Sequence, residues 1–236
     1  MTRLLEYLPL LSHGALVTVA LALLSLILAT LLGALGAAAK ISASMVARAV
    51  ATIYTTIVRG VPDLVLILLI YFGGQRFVND IGGLLGADYV EVSKFGSGVV
   101  SIGFIYGAYL TETFRGGYAA VPKGQGEAAQ ALGLSRWLVL RKVVLPQFWR
   151  HVLPGYGNVW QVLVKSTAVV SVIGLEDLVG LADKAGKSTR EPFLFLVIVI
   201  LVYLAITAIS GRLFAMAEAH VGRGQAPARP VTARGG

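Results

Sequence analysis

The chain contains no cysteine. Disulfide frameworks, thiolate metal sites and cysteine nucleophiles are therefore excluded. Charge is also scarce. Asp, Glu, Lys and Arg make up 14% of 236 residues, against 56% hydrophobic residues and a mean hydropathy of +0.78. An average soluble domain carries about 25% charged residues, so this composition excludes that class and points to several membrane spans. Negative charge is the scarcer sign, with 12 acidic against 20 basic residues and a net charge of +8. The basic residues are dispersed, with no compact basic domain. In so oily a chain that excess suits anionic lipid and not nucleic acid. Only three histidines occur, and His13, His151 and His220 show no metal-ligand spacing. Neither a metal site nor a catalytic constellation is expected.

What the chain does contain is a series of apolar runs. Residues 14–39 form the first, long enough for one tilted helix at about 20 residues per crossing. It exceeds the 7–15 residues of a signal-peptide core, and Arg3 is the only basic residue before it, so a retained span is expected despite the small residues Ala37 to Ala39. Residues 49–72 form the second. It is interrupted by Arg59-Gly60-Val61-Pro62-Asp63, where Pro62 removes a backbone donor and Gly60 relaxes the turn. A helix broken near mid-span with charges at the break is a candidate substrate site. The alternative is that Arg59 and Asp63, four residues apart, pair with each other across the kink. Residues 74–97, Gly-rich and polar, read as an exposed loop.

Residues 98–118 form the third run, in which Gly103 and Gly107 allow close approach of a neighbouring helix. Glu112 near its end is either a substrate ligand or the counter-charge of Arg115. Residues 151–175 form the fourth. Asn158, Gln161 and Lys165 share one helical face there, and a polar stripe ending in a lysine should line a cavity. The alternative for Lys165 is snorkelling or pairing for packing alone. Residues 176–191 read as a polar loop. Its Gly186-Lys187-Ser188 resembles the end of a phosphate-binding loop, but the required first glycine falls on Leu181, so no nucleotide site is expected. The fifth run is 192–217, and a basic, apolar-poor tail from 221 to 236 reads as disordered.

The longest amphipathic interruption is Glu127 to Pro146, EAAQALGLSRWLVLRKVVLP, within a loop of residues 119–150. Helix formers lead to Gly133, and a second apolar patch follows, with Arg136, Arg141 and Lys142 interspersed. That pattern suits a helix–turn–helix at a membrane surface. The spacing Glu127-Ala128-Ala129, three residues, Gly133, nine residues, then Val143-x-Leu145-Pro146 resembles the cytoplasmic signature of ABC-importer permeases, E-A-A-x3-G-x9-I-x-L-P. Further strings, YTTIVRGVPDLV at Tyr54–Val65, GFIYGAYLTETFRGGY from Gly103 and LPGYGNVWQVLVKSTAVVSVIGLEDLV from Leu153, are similar to the polar and basic amino-acid branch. Its Q-type subunits serve importers of histidine, lysine, arginine and ornithine, with relatives for octopine and nopaline. Val61 departs from the branch, where Thr is commoner.

The resemblance implies an all-α integral membrane fold, a type I ABC-importer permease core of five transmembrane helices in a single domain over residues 1–220. It implies a coupling helix, carried by Glu127, Ala128, Ala129, Gly133, Leu134 and Ser135, that seats in an ATP-hydrolysing subunit. The implied partners are a second, M-type permease, two ABC ATPase subunits and a periplasmic substrate-binding protein. ATP and magnesium would be held by those partners, with no cofactor and no bond chemistry in this chain. The substrate path would comprise Arg59, Gly60, Asp63, Glu112, Asn158, Gln161 and Lys165, in a bacterial inner membrane. The placement of basic residues points the same way. With the N-terminus outside and the C-terminus inside, inner segments hold twelve of the twenty Lys and Arg, Lys40, Arg48, Lys123 and Arg136 among them, and outer segments six.

Overall fold

The computed structural model describes residues 2–222, with side chains from Glu6 onward. Among these residues all regular structure is helical. Helix α1 runs Thr2–Ile41. It begins well before the expected residue 14, and Pro9 lies within it. Its first turns are held by packing: Leu11 is buried in a cluster with Leu178 and Phe195, and Tyr7 sets its ring edge-on to Phe195 at 5.3 Å. Helix α2 (Met45–Gly60) is capped by Ser44, whose hydroxyl accepts from the Ala47 N–H at 3.3 Å. Helix α3 (Asp63–Leu84) follows after two extended residues.

The expected break between Arg59 and Asp63 is therefore present, at Val61 and Pro62. The expected loop from 74 is not, because α3 continues to Leu84. The reason lies on one face of that extension. Gln75 and Asn79 accept hydrogen bonds from the Val92 and Val90 N–H groups, each at 2.7 Å, and so hold the returning chain against the helix.

Helix α4 (Lys94–Ala119) is the centre of the body, with half of its residues buried. Its main neighbour is α1. A Cβ on Gly103 would lie 2.7 Å from Leu28, and one on Gly107 2.8 Å from both Leu32 and the Tyr54 hydroxyl. The two glycines thus set the α1–α4 separation. Helices α5 (Lys123–Ala131) and α6 (Arg136–Val139) form an elbow, and a π-turn at Leu140–Val144 leads into α7 (Leu145–Val170). The fourth helix thus starts and ends earlier than the expected 151–175. Gly174, at φ 79°, closes it after a 3-10 turn.

Residues 176–191 are mostly helical, contrary to the loop expected there. Leu178, Leu181, Ala182 and Ala185 bury one face of α8 (Leu178–Thr189). Gly186-Lys187-Ser188 is its last turn and not a phosphate loop. Asp177 caps α8, accepting from the Gly180 N–H at 2.9 Å. Its side chain is fully buried, its other oxygen has no partner among the described residues, and burial pushes its carboxyl up to about 6. Helix α9 (Pro192–Gly222) takes in Val221 and Gly222 from the expected tail. The rest of that tail lies outside the described residues.

The ends of these helices sort into two groups. At one end Leu178 meets Thr18, and Lys94 meets Gly174. At the other Lys40 meets Glu112, Gly117 meets Val152, and Tyr156 meets Phe214. Hence α1, α4, α7 and α9 each run between these two ends. By length and composition Glu6–Ile41, α3 and α9 are apolar enough to cross a bilayer. Helices α4 and α7 are 26 residues each, about 39 Å at 1.5 Å per residue, and are long enough too. Helix α4 is the richest in Gly, Ser, Thr and Tyr, because half of it is buried against other helices.

Candidate functional site

The break between α2 and α3 is built by sequence. Val61 precedes a proline and is driven extended, at φ −108° and ψ 141°. Pro62 follows at φ −58° and ψ 136°, offers no N–H, and starts α3 without a side-chain cap. Asp63 occupies the first helical position, where a carboxylate complements the helix dipole. It lies within hydrogen-bond distance of the Tyr106 hydroxyl at 2.9 Å and the Ser166 hydroxyl at 3.2 Å, and those two hydroxyls also lie within hydrogen-bond distance of each other, so two protons are shared among three contacts. Three helices, α3, α4 and α7, thus converge on one half-buried carboxylate.

Arg59 does not pair with Asp63 among the described residues. Its exposed guanidinium lies 5.3 Å from the centroid of the Tyr109 ring, a cation–π distance. Tyr109 stacks on Tyr106 at 5.5 Å. The result is a continuous strip: guanidinium, two stacked rings, carboxylate. Gly60 adds no contact, since a Cβ there would meet nothing within 4 Å.

The other expected path residues separate from this strip. Glu112 forms an ion pair with Lys40, and its second oxygen accepts from Arg115 Nε at 2.9 Å. Lys40 also donates to the Thr55 hydroxyl at 2.7 Å. Both Glu112 oxygens thereby have cationic partners that tie α1, α2 and α4 together, and Arg115 is one of them, the pairing of the counter-charge alternative. Gln161 turns to α9, donating to the Thr207 carbonyl at 3.1 Å and the Ser210 hydroxyl at 3.3 Å. It is a helix–helix tie and leaves the expected stripe. Asn158 and Lys165 are exposed on α7. Lys165 borders a cleft of about 320 Å³ between α7 and α9, beside Val199, Tyr203 and Thr207. The sequence reading missed Tyr106, Tyr109, Ser166 and Lys40. The signal for the two tyrosines was their three-residue spacing on the Gly-rich face of α4.

The elbow is the second candidate site. Glu127, Ala128 and Ala129 sit in α5, which begins at Lys123 and stops at Ala131, so Gly133, Leu134 and Ser135 lie beyond the helix. Gly133 adopts φ 84°. Its N–H bonds the Gln130 carbonyl at 2.9 Å and the Leu134 N–H bonds the Ala129 carbonyl at 3.2 Å, the paired closure of a left-handed helix cap. Ser135 then caps α6, accepting from the Leu138 N–H at 3.4 Å. Ala129 and Val139 are buried between the two short helices, while Leu132 and Trp137 are 82% and 64% exposed. The elbow is therefore internally fixed and externally apolar, and it is wired to the body through α4 and α7.

Comparison with known proteins places these features in a family. Residues 29–222 match the model of the "binding-protein-dependent transport system inner membrane component" family. The chain is 48% identical over 206 residues to the histidine/lysine/arginine/ornithine transport system permease protein HisQ of Salmonella typhimurium, covering 87% of this chain and 90% of that protein. It is 43% identical over 208 residues to the octopine transport system permease protein OccQ of Rhizobium meliloti, covering 88% of each. Its fold superposes on a subunit of a crystal structure of an amino acid ABC transporter with histidines, at a TM-score of 0.79 and 32% identity, covering 92% of this chain and 96% of that one. The chain belongs to the binding-protein-dependent transport system inner membrane components, as a permease of the amino-acid ABC-transporter branch.

Proposed function

We propose that this chain is one permease subunit of an ATP-driven importer of basic amino acids in a bacterial inner membrane. It crosses the bilayer five times, N-terminus outside and C-terminus inside. Supporting that orientation, Lys40, Arg48, Arg115, Lys123, Arg136 and Arg150 gather at the elbow end of the body, as positive-inside placement requires. A second, M-type permease completes the path, a periplasmic protein delivers the substrate, and two ABC ATPases receive the elbows and hold ATP with magnesium.

The observation that carries the substrate reading is the strip at the break. A basic amino acid has an α-carboxylate and a cationic side chain. Arg59 and the unpaired N–H groups opening α3 suit the carboxylate. Asp63, oriented by Tyr106 and Ser166, suits the cation. Lys165 and Asn158 lie exposed on α7, available to a path shared with the second permease. An opine adds a further carboxylate to the same kind of cation, and the octopine relative keeps that substrate as the second reading.

The elbow supplies the coupling. ATP-driven closure of the partners moves the α5 helix with Gly133, Leu134 and Ser135, and α4 and α7 carry the motion to the break as rigid bodies. The test is substrate-stimulated ATPase activity of the reconstituted complex across lysine, arginine, histidine, ornithine, octopine and neutral amino acids. Stimulation by the basic set supports the reading, and stimulation by neutral residues alone contradicts it. Glu127→Lys or Gly133→Asp should preserve assembly while separating hydrolysis from transport. Wild-type coupling in both would remove the elbow's role.

A further inference from the structure

At the elbow end, away from the break between α2 and α3, lies a groove of about 530 Å³. Its floor is one face of α1, where Ala34, Ala37 and Ala38 leave room that larger side chains would fill. Its walls are Phe114 of α4 and Phe148 of α7. Its closed end is Thr30, whose hydroxyl is already satisfied by the Leu26 carbonyl at 2.7 Å and the Tyr156 hydroxyl at 2.8 Å. The lining between is hydrocarbon. From Thr30 to Ile41 the floor advances eleven residues, about 16 Å at 1.5 Å each, close to one leaflet's share of a ~30 Å hydrocarbon core.

The open end is different in kind. Tyr118 and Trp149, 47% and 42% exposed, flank it, as aromatics do at headgroup level. Ser42 closes the rim, and the exposed Arg48 donates to the Ser42 carbonyl at 2.8 Å, which holds a guanidinium at the mouth. An apolar slot one leaflet deep with a cation at its entrance is complementary to one molecule, an anionic glycerophospholipid.

We propose that this groove is a binding site for an anionic phospholipid, one acyl chain lying along α1 and the phosphate at Arg48. The bound chain fills the space between α1 and the α4–α7 pair at the end where the elbow attaches. Assignment to the inner leaflet rests on the orientation proposed above, whereas the groove and its occupant do not.

The experiment uses the full importer complex in nanodiscs containing phosphatidylglycerol with a photoreactive group on its acyl chain, or the matched phosphatidylcholine probe. Labelled residues are mapped by mass spectrometry. The expected result is label on α1 between Thr30 and Ile41 and on Phe114 or Phe148, stronger for phosphatidylglycerol. Ala38→Phe, which fills the slot, should reduce that label at least several-fold and leave label elsewhere unchanged. Arg48→Gln should reduce the phosphatidylglycerol preference by about fivefold, the factor expected for one basic side chain at an anionic surface, and leaves the slot itself intact. Absence of label there in the wild type, label unchanged in Ala38→Phe, or cross-linking of Ala38→Cys to the second permease would each overturn the proposal. A cysteine at Ser44 reacting only from the outer side would overturn the orientation while leaving the groove result standing.

Discussion

Asp63 and Glu112 both stand in the helical body, and their surroundings are opposite. Glu112 is held by Lys40 and Arg115, with Lys40 anchored in turn to Thr55. Asp63 is held by two neutral hydroxyls, and Arg59, four residues earlier, is turned onto Tyr109. A carboxylate saturated by cations fixes helices together and has nothing left to offer a ligand. A carboxylate oriented by hydroxyls keeps its charge uncompensated, and in a membrane path that charge is what a cationic substrate would neutralise. The contrast is what supports proposing Asp63, and not Glu112, as the substrate ligand, where sequence pattern alone grouped the two residues together.

The largest expected effect comes from reversing the charge at the site. Asp63→Lys should lower transport of lysine or arginine by more than ~100-fold, since a like charge replaces a charge-assisted bond of about 1.5–3 kcal/mol, while the complex still assembles. Uptake assays beside quantification of assembled complex would check it. Next is the scaffold. Glu112→Gln keeps an amide oxygen that can accept from Lys40 but removes the negative charge that compensates Lys40 and Arg115, and should destabilise the chain by about 1–3 kcal/mol, read as a lower unfolding temperature in lipid. Adding Lys40→Met should recover part of that loss, because removing both charges costs less than orphaning one. Substrate preference should not move in either variant.

A smaller effect is expected for Tyr106→Phe. It removes one of the two hydroxyls that orient Asp63 and spares the ring stacked on Tyr109, so uptake should fall about fivefold, near the worth of one hydrogen bond of ~1 kcal/mol. A pH-dependent effect on stability, with none expected on transport, concerns Asp177, outside both networks. Its carboxyl is raised from 3.8 to about 6 by burial, so the folded chain holds that proton more tightly than the unfolded one. The resulting stability is present below about pH 4 and is lost as pH rises through about 6. Unfolding measured across that window should show the dependence in the wild type and a flatter profile in Asp177→Asn.

Much of this was legible in the residues. The break announces itself through Pro62 and Gly60, and the elbow through Glu127-Ala128-Ala129 and Gly133, because proline and glycine constrain backbone locally. Local signals failed where tertiary contacts decide. The extension of α3 depends on Gln75 and Asn79 binding a segment eleven to seventeen residues away. Helix α8 depends on a buried face that a window of charged residues conceals. Gln161 shares a helical face with Lys165 by spacing, yet α9 lies close enough to claim it, and spacing within one helix carries no information on which neighbour arrives. Lys40 was read as a loop charge because its partner is 72 positions away.

The central claim is that Asp63 carries the substrate's positive charge and Glu112 does not. The most direct measurement is substrate-stimulated ATPase activity of the reconstituted complex with arginine and with citrulline, its neutral near-isostere, for the wild type, Asp63→Asn and Glu112→Gln. The account predicts strong preference for arginine in the wild type and in Glu112→Gln, and a preference near unity in Asp63→Asn. Retention of the arginine preference in Asp63→Asn, or its loss in Glu112→Gln, would contradict it.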